Sequence, residues 1–127
     1  MIEAVFYGMN RCLSIAVLSF ALVTTSWGAE SLDQTIEYLI DYVARSNATF
    51  IRNGTSHTPA EAVAHIKAKY EHFKPEIKTP EDFIRLSASQ SLLTGKPYLV
   101  RTPDGKETRL DAWLTAALET HRASPTH

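Results

Sequence analysis

The sequence predicts an α+β domain in which about four helices pack on a small antiparallel sheet of two to three short strands, including a C-terminal β-hairpin. Apolar residues recur at helical spacing in four segments, and three of these follow helix-capping residues. Short segments rich in β-branched and aromatic residues border Asn-Gly and Asp-Gly turns, as hairpin strands do. We expect residues 30–122 to form this single domain, because an apolar targeting segment precedes them.

Residues 1–29 have the pattern of a secretory signal peptide. Arg11 precedes an uncharged apolar run over 12–23, and a short polar stretch ending in small residues follows. This order of charged, apolar and small residues is typical of a cleaved signal. The apolar run is much shorter than the roughly 20 residues that a membrane-spanning helix needs, so we expect no membrane span after cleavage.

The cleavage site is expected after Gly28 or Ala29. Signal peptidase accepts small side chains at the first and third positions before the cut, and Ser26 with Gly28 fits a cut after Gly28. A shorter leader that starts at Met9 has the conventional proportions of a signal, which favours Met9 over Met1 as the true start.

Composition excludes several classes of function for the mature chain. Cys12 is the single cysteine and lies in the apolar run, so the mature domain is cysteine-free and forms no disulfide or thiolate site. The formal net charge is −1, with no block of like charges, which argues against a nucleic-acid-binding protein.

Four helices are predicted, and their starts are better marked than their ends. Three begin with Ser or Thr in a capping pattern, and two of those have proline at the first helical position. They cover residues 31 to about 45, 58 to about 73, and 79 to about 89–91, and a last helix has Trp113, Leu114, Ala117 and Leu118 on its apolar face. We expect residues 123–127 to form a disordered tail.

Two regions predict the strands. Residues 48–52 have the composition of a strand and end at the turn Asn53-Gly54, after which we expect a turn or loop up to the second helix. Residues 98–101 and 106–109 flank a Pro-Asp-Gly turn and predict the β-hairpin. Helices are expected to cover one face of the resulting sheet.

The sequence predicts no catalytic residue, no metal site and no cofactor. His65 and His72 lie seven residues apart on the second helix, a rise of roughly 10 Å that one zinc ion cannot bridge. Glu61 and His65 are spaced to share an ion but have no evident third ligand, so we interpret this face as solvated. No Gly-x-Ser-x-Gly elbow surrounds the serines at 87, 89 and 91.

A set of polar residues around the predicted strands is the candidate ligand site. If the strands pair, these side chains converge on one surface suited to an anionic or sugar-like ligand. The alternative is the commoner role of such residues, in turns, at a helix entry and on an ordinary sheet face. The six residues are Arg52, Asn53, His57, Lys96, Tyr98 and Arg101.

Stretches covering most of the mature chain form a further pattern: residues 50–54, Glu61-Ala62, His65-Ile66, Lys69-Tyr70, Lys78-Thr79, 81–84, Ser91, 95–101 and Trp113-Leu114. In order and spacing they resemble the YfeK-like proteins, small exported bacterial proteins with a domain of unknown function. The resemblance implies a bacterial, periplasmic protein and carries over no activity or catalytic residue. Many members have a cysteine near the position of Ala48, and any role of that thiol would be absent here.

These observations favour a non-enzymatic binding or accessory protein of the cell envelope, whose partner is an envelope component or another protein. The alternative is a small hydrolase that uses His57 with a serine or carboxylate brought near it by folding. A third hypothesis is a purely structural domain in which the polar residues form turns and caps.

Overall fold

Residues 30–124 are described by the computed structural model of the protein. The expected signal peptide, its two cleavage sites, the start at Met9 and the last three tail residues lie outside them. The elements are α1 (Leu32–Ala44), β1 (Thr49–Arg52), β2 (Thr55–His57), α2 (Pro59–Phe73), a 3-10 turn (Lys74–Glu76), α3 (Pro80–Ser87), β3 (Leu99–Arg101), β4 (Glu107–Arg109) and α4 (Leu110–Ala123). This order confirms the α+β class and the four α-helices.

The sheet has four strands in the order β2-β1-β3-β4, and every neighbouring pair is antiparallel. The prediction of two to three strands was wrong because β2, whose Thr-Ser-His sequence has no apolar alternation, was expected to be loop. Asn53 and Gly54 have φ angles of 51° and 79°, which closes a tight turn and brings Thr55 opposite Arg52. The turn geometry, rather than strand composition, therefore creates β2.

Capping residues set the starts of the first three helices. Ser31 accepts a hydrogen bond from the Gln34 backbone, and the Gln34 side chain accepts one from Ser31 N–H, completing a capping box. Thr58 and Glu61 form the same reciprocal pair on α2. At the third helix the Thr79 side chain accepts a hydrogen bond from Asp82 N–H, without the reciprocal bond of a capping box. This helix ends at Ser87, slightly before the predicted end.

The helices bury one face of the sheet. Phe50 of β1 pairs with Val100 of β3, and both side chains lie in the core with Leu39 and Leu114. Because side chains alternate along a strand, positions two residues away from this pair face the same way. Among residues 30–124, no helix is long and apolar enough to cross a membrane.

The capping box on α1 gives a test of the fold. Replacing Ser31 with Ala leaves Gln34 N–H without its acceptor and is expected to lower the free energy of unfolding by about 1 kcal/mol. Ser56→Ala, on an exposed position of β2, is the matched control and should change it by less than about 0.5 kcal/mol. Urea unfolding followed by circular dichroism measures both, and equal effects would contradict the capping role.

Candidate functional site

A cavity of about 60 Å³ lies where α2 meets the sheet. Much of its wall is apolar, from residues such as Phe50, Ile66 and Leu110. Polar side chains from β1, β2, α2 and the start of β3 complete the lining: Arg52, His57, Glu61, His65 and Tyr98. Its volume is far below the roughly 300–1,000 Å³ of pockets that enclose drug-sized ligands, so it has room for an end group.

A chain of hydrogen bonds runs along this wall. The guanidinium of Arg52 lies 3.3 Å from Nδ1 of His65, and Nε2 of His65 lies 2.9 Å from the hydroxyl of Tyr98. Arginine can only donate, so Nδ1 of His65 accepts and the hydrogen of the neutral ring sits on Nε2. His65 therefore donates to Tyr98.

Lys69, on the next turn of α2, completes this series of hydrogen bonds. Its ammonium donates to the carbonyl oxygen of Gln90 at 2.7 Å and to the Tyr98 hydroxyl at 3.3 Å. The side chain is buried, and it lies 5.0 Å from the centre of the Tyr98 ring. Lys69 thus supports the cavity wall from behind.

Burial and positive charge shape the protonation of this cluster. Burial lowers the pKa of His65, and the nearby positive charges of Arg52 and Lys69 lower it further. Burial also lowers the pKa of Lys69 and raises that of Tyr98. The histidine and tyrosine therefore both favour their neutral forms.

His57 presents an unused ring nitrogen in the same region. Its Nε2 is buried and has no hydrogen-bond partner in the part of the chain that the structure describes. Its Nδ1 lies 3.7 Å from Oε1 of Glu61, too far for a hydrogen bond. That carboxylate oxygen accepts from Thr58 N–H at 2.9 Å, the main cause of the lowered pKa of Glu61. Nε2 of His57 is thus a buried polar atom at the cavity without a hydrogen-bond partner among the described residues.

Three of the six predicted site residues meet at this cavity, namely Arg52, His57 and Tyr98. Extending the register of β1 with β3 by one residue places Arg52 opposite Tyr98, on the face of the sheet that the helices cover. His57 pairs with Phe50 and faces the same side. The strands therefore bring three of the six predicted side chains together.

The other three predicted residues lie elsewhere. Asn53 holds the loop before β3, donating to Ser91 at 3.2 Å and accepting from Thr94 at 2.6 Å. Lys96 is an exposed residue of the same loop. Arg101 faces the opposite side of the sheet and is paired with Glu107 at 2.8 Å. None of them lines the cavity.

Sequence reasoning missed the contributions of α2. The face carrying His65 was interpreted as solvated, but His65 is partly buried against Tyr98. Lys69 lies three residues after the buried Ile66, and this spacing was a signal that the lysine belongs to the inner face. Within residues 30–124, no three His, Cys, Asp or Glu side chains come together to hold a metal ion.

A larger open groove, about 550 Å³, lies between α3 and α4. Most of its charged side chains already form ion pairs: Arg109 binds Asp111 at 2.8 Å, and Glu81 binds Arg122 at 2.6 Å. Mutually paired surface charges need no ligand. The cavity beside His57 is therefore the better candidate site.

The lowered pKa of His65 predicts a pH dependence of stability. The ordinary pKa of a histidine is 6.5, so below that pH the ring of His65 takes up a proton in the unfolded chain. The folded chain resists this protonation because its pKa is lower. This contribution to stability is fully present above pH 6.5 and is lost as the pH falls through the lower folded pKa. We expect the free energy of unfolding to fall between pH 7 and 5.5, by at most about 1.4 kcal/mol per pH unit from this group.

Urea titrations at several pH values would measure this effect. His65→Gln removes the titrating ring and should flatten the slope, whereas His72→Gln, at an exposed histidine of the same helix, should keep it. An unchanged slope in His65→Gln would refute the assignment.

Comparison with known proteins identifies relatives of this chain. The family model described as "Family of unknown function (DUF5329)" matches residues 30–122. The "Uncharacterized protein YfeK" of Salmonella typhimurium is 35% identical over 86 residues, which cover 65% of this chain and 72% of that protein. No solved structure matches. The chain therefore belongs to the DUF5329 family of YfeK-like proteins, a family of unknown function.

Proposed function

We propose that this protein is a non-enzymatic binding protein of the bacterial periplasm, which holds the end group of a small envelope component in the cavity beside His57. The observation that carries this proposal is the buried, unpartnered Nε2 of His57 in a cavity that Arg52 and Tyr98 also line. A buried polar nitrogen without a partner costs about 1–3 kcal/mol, which a bound ligand with a matching group would recover.

The geometry favours binding over hydrolysis. A hydrolase using His57 needs a nucleophile within hydrogen-bond reach of that ring. Among residues 30–124, no serine lines the cavity. Ser87 is fully buried in α3, and the hydroxyl of Ser91 accepts hydrogen bonds from Asn53 and from Leu93 N–H. Glu61, the nearest carboxylate, is engaged in capping α2.

The periplasmic location rests on the N-terminal pattern. The folded domain begins at the cap Ser31, and the family match begins at residue 30, directly after both expected cleavage sites. A signal peptide cut there would release the entire domain without removing any element of it.

Fractionation with N-terminal sequencing tests the location. We expect the protein in the periplasmic fraction of a bacterial host, with a mature N-terminus at Ala29 or Glu30. A cytoplasmic enzyme of the same host, assayed in each fraction, is the control for the fractionation. A full-length chain recovered from the cytosol would refute the export proposal.

A cavity-filling variant tests the binding site without assuming the chemistry of the ligand. Ala62 is buried in the cavity wall and Ala64 is exposed on the same helix. Ala62→Leu should fill the cavity and abolish retention of a small molecule from periplasmic extract, while Ala64→Leu should behave as wild type. Native mass spectrometry after gel filtration measures the retained mass.

Overpacking costs about 1–3 kcal/mol, so thermal unfolding must first show that Ala62→Leu is folded at the working temperature. Absence of any retained mass on the wild type, or equal retention by both variants, would contradict binding at this cavity.

A further inference from the structure

Arg52 differs from every other arginine that the structure describes. Within residues 30–124, the remaining arginines each pair with a carboxylate at 2.6–3.1 Å, namely Arg45, Arg85, Arg101, Arg109 and Arg122. The side-chain partner of Arg52 is the neutral ring of His65. A guanidinium has five N–H donors, so most of those on Arg52 are unused by the described residues.

Lys69 adds a second positive charge that no carboxylate of the described residues balances. It is 7% exposed, and its contacts at hydrogen-bond distance are the neutral oxygens of Gln90 and Tyr98. Glu61 is the acidic residue of the cavity wall, and its carboxylate is directed to Thr58 and His57. Arg52 in the wall and Lys69 behind it together outnumber the one carboxylate of Glu61, which leaves an excess of positive charge around the cavity. A buried positive charge is costly without an anion.

The hydroxyl of Tyr98 is set up as a donor beside Arg52. Its oxygen accepts from His65 and Lys69, which occupy both of its acceptor positions. The hydroxyl hydrogen then has no acceptor among the described residues. The phenol and the guanidinium, opposite each other across β1 and β3, can together donate to a single anionic group.

From this geometry we infer that the cavity binds a carboxylate, the end group of a short aliphatic acid or of a peptide. The inference rests on the proposed binding function and specifies its ligand. A carboxylate is planar, accepts two hydrogen bonds from one guanidinium and carries one negative charge. The apolar wall of Phe50, Ile66 and Leu110 suits the carbon chain attached to it. A phosphate, with more oxygens to satisfy, would face this apolar wall at a cost.

Electrostatics adds a separate readout. Burial lowers the pKa of His65, and the positive charges of Arg52 and Lys69 lower it further. A bound carboxylate offsets those charges, so binding should raise the pKa of His65 and be accompanied by proton uptake.

Titration of the full processed protein with matched acids and amides tests the inference. Nuclear magnetic resonance of His65 and Tyr98 would follow propionate against propionamide, tri-alanine against its C-terminal amide, and inorganic phosphate. We expect saturable shifts with at least one carboxylate, no saturation with either amide, weaker binding of phosphate, and a raised pKa of His65 in the complex. A response to tri-alanine alone identifies a peptide end as the source, and a response to propionate alone identifies a free acid.

Two variants assign the effect to the wall. Arg52→Gln should weaken carboxylate binding at least about tenfold, because a charged hydrogen bond is lost. Arg101→Gln, at an arginine outside the cavity, should leave it unchanged. Tyr98→Phe keeps the ring and removes the hydroxyl, so it should also weaken carboxylate binding. It serves as the test if Arg52→Gln fails to fold.

Equal binding of an acid and its amide, or tighter binding of phosphate, would overturn the carboxylate assignment and leave binding at the cavity intact. Failure of every carboxylate to bind would also overturn it. The proposed binding function itself fails only in the separate experiment with periplasmic extract and Ala62→Leu, so the two failures are distinguishable.

Discussion

Pairing of β1 with β3 is the constraint on which both the core and the cavity depend. Its register sets Phe50 beside Val100 in the core and, at the end of β1, Arg52 opposite Tyr98 on the same face. A slip of β1 by one residue would turn Phe50 and Arg52 to the other face of the sheet. The register that closes the core therefore also assembles the cavity, and a change in one disturbs the other.

The second helix adds polar side chains to this part of the sheet. Ile66 anchors the helix in the core, while His65 and Lys69, on the flanks of that residue, reach Tyr98. Burying such groups is unfavourable unless their hydrogen bonds are made. Most are made here, since Lys69 is bound to the main chain at Gln90. The exceptions at the cavity are the unused donors of Arg52, the hydroxyl hydrogen of Tyr98 and the ring nitrogen of His57.

The loop before β3 shows how a polar residue can serve the fold instead of a ligand. Asn53 sits in a turn at positive φ, where asparagine is tolerated, and its amide both donates to Ser91 and accepts from Thr94. The loop held in this way displays Leu92 and Leu93, which are 68% and 93% exposed. Its order therefore comes from hydrogen bonds and not from burial of its apolar side chains.

The sequence by itself determined the α+β class, the four helices with the starts of the first three, the C-terminal hairpin and the family, because caps, periodicity and turn residues are local signals. It also singled out three of the five polar residues that line the cavity, Arg52, His57 and Tyr98, since each lies on or beside a recognisable strand, turn or helix start. Only the tertiary structure decided that Thr55–His57 forms a strand, that Asn53 is structural and that α2 supplies His65 and Lys69. These features depend on strand register and on which face of a helix meets the sheet, and both are fixed by contacts between residues distant in sequence.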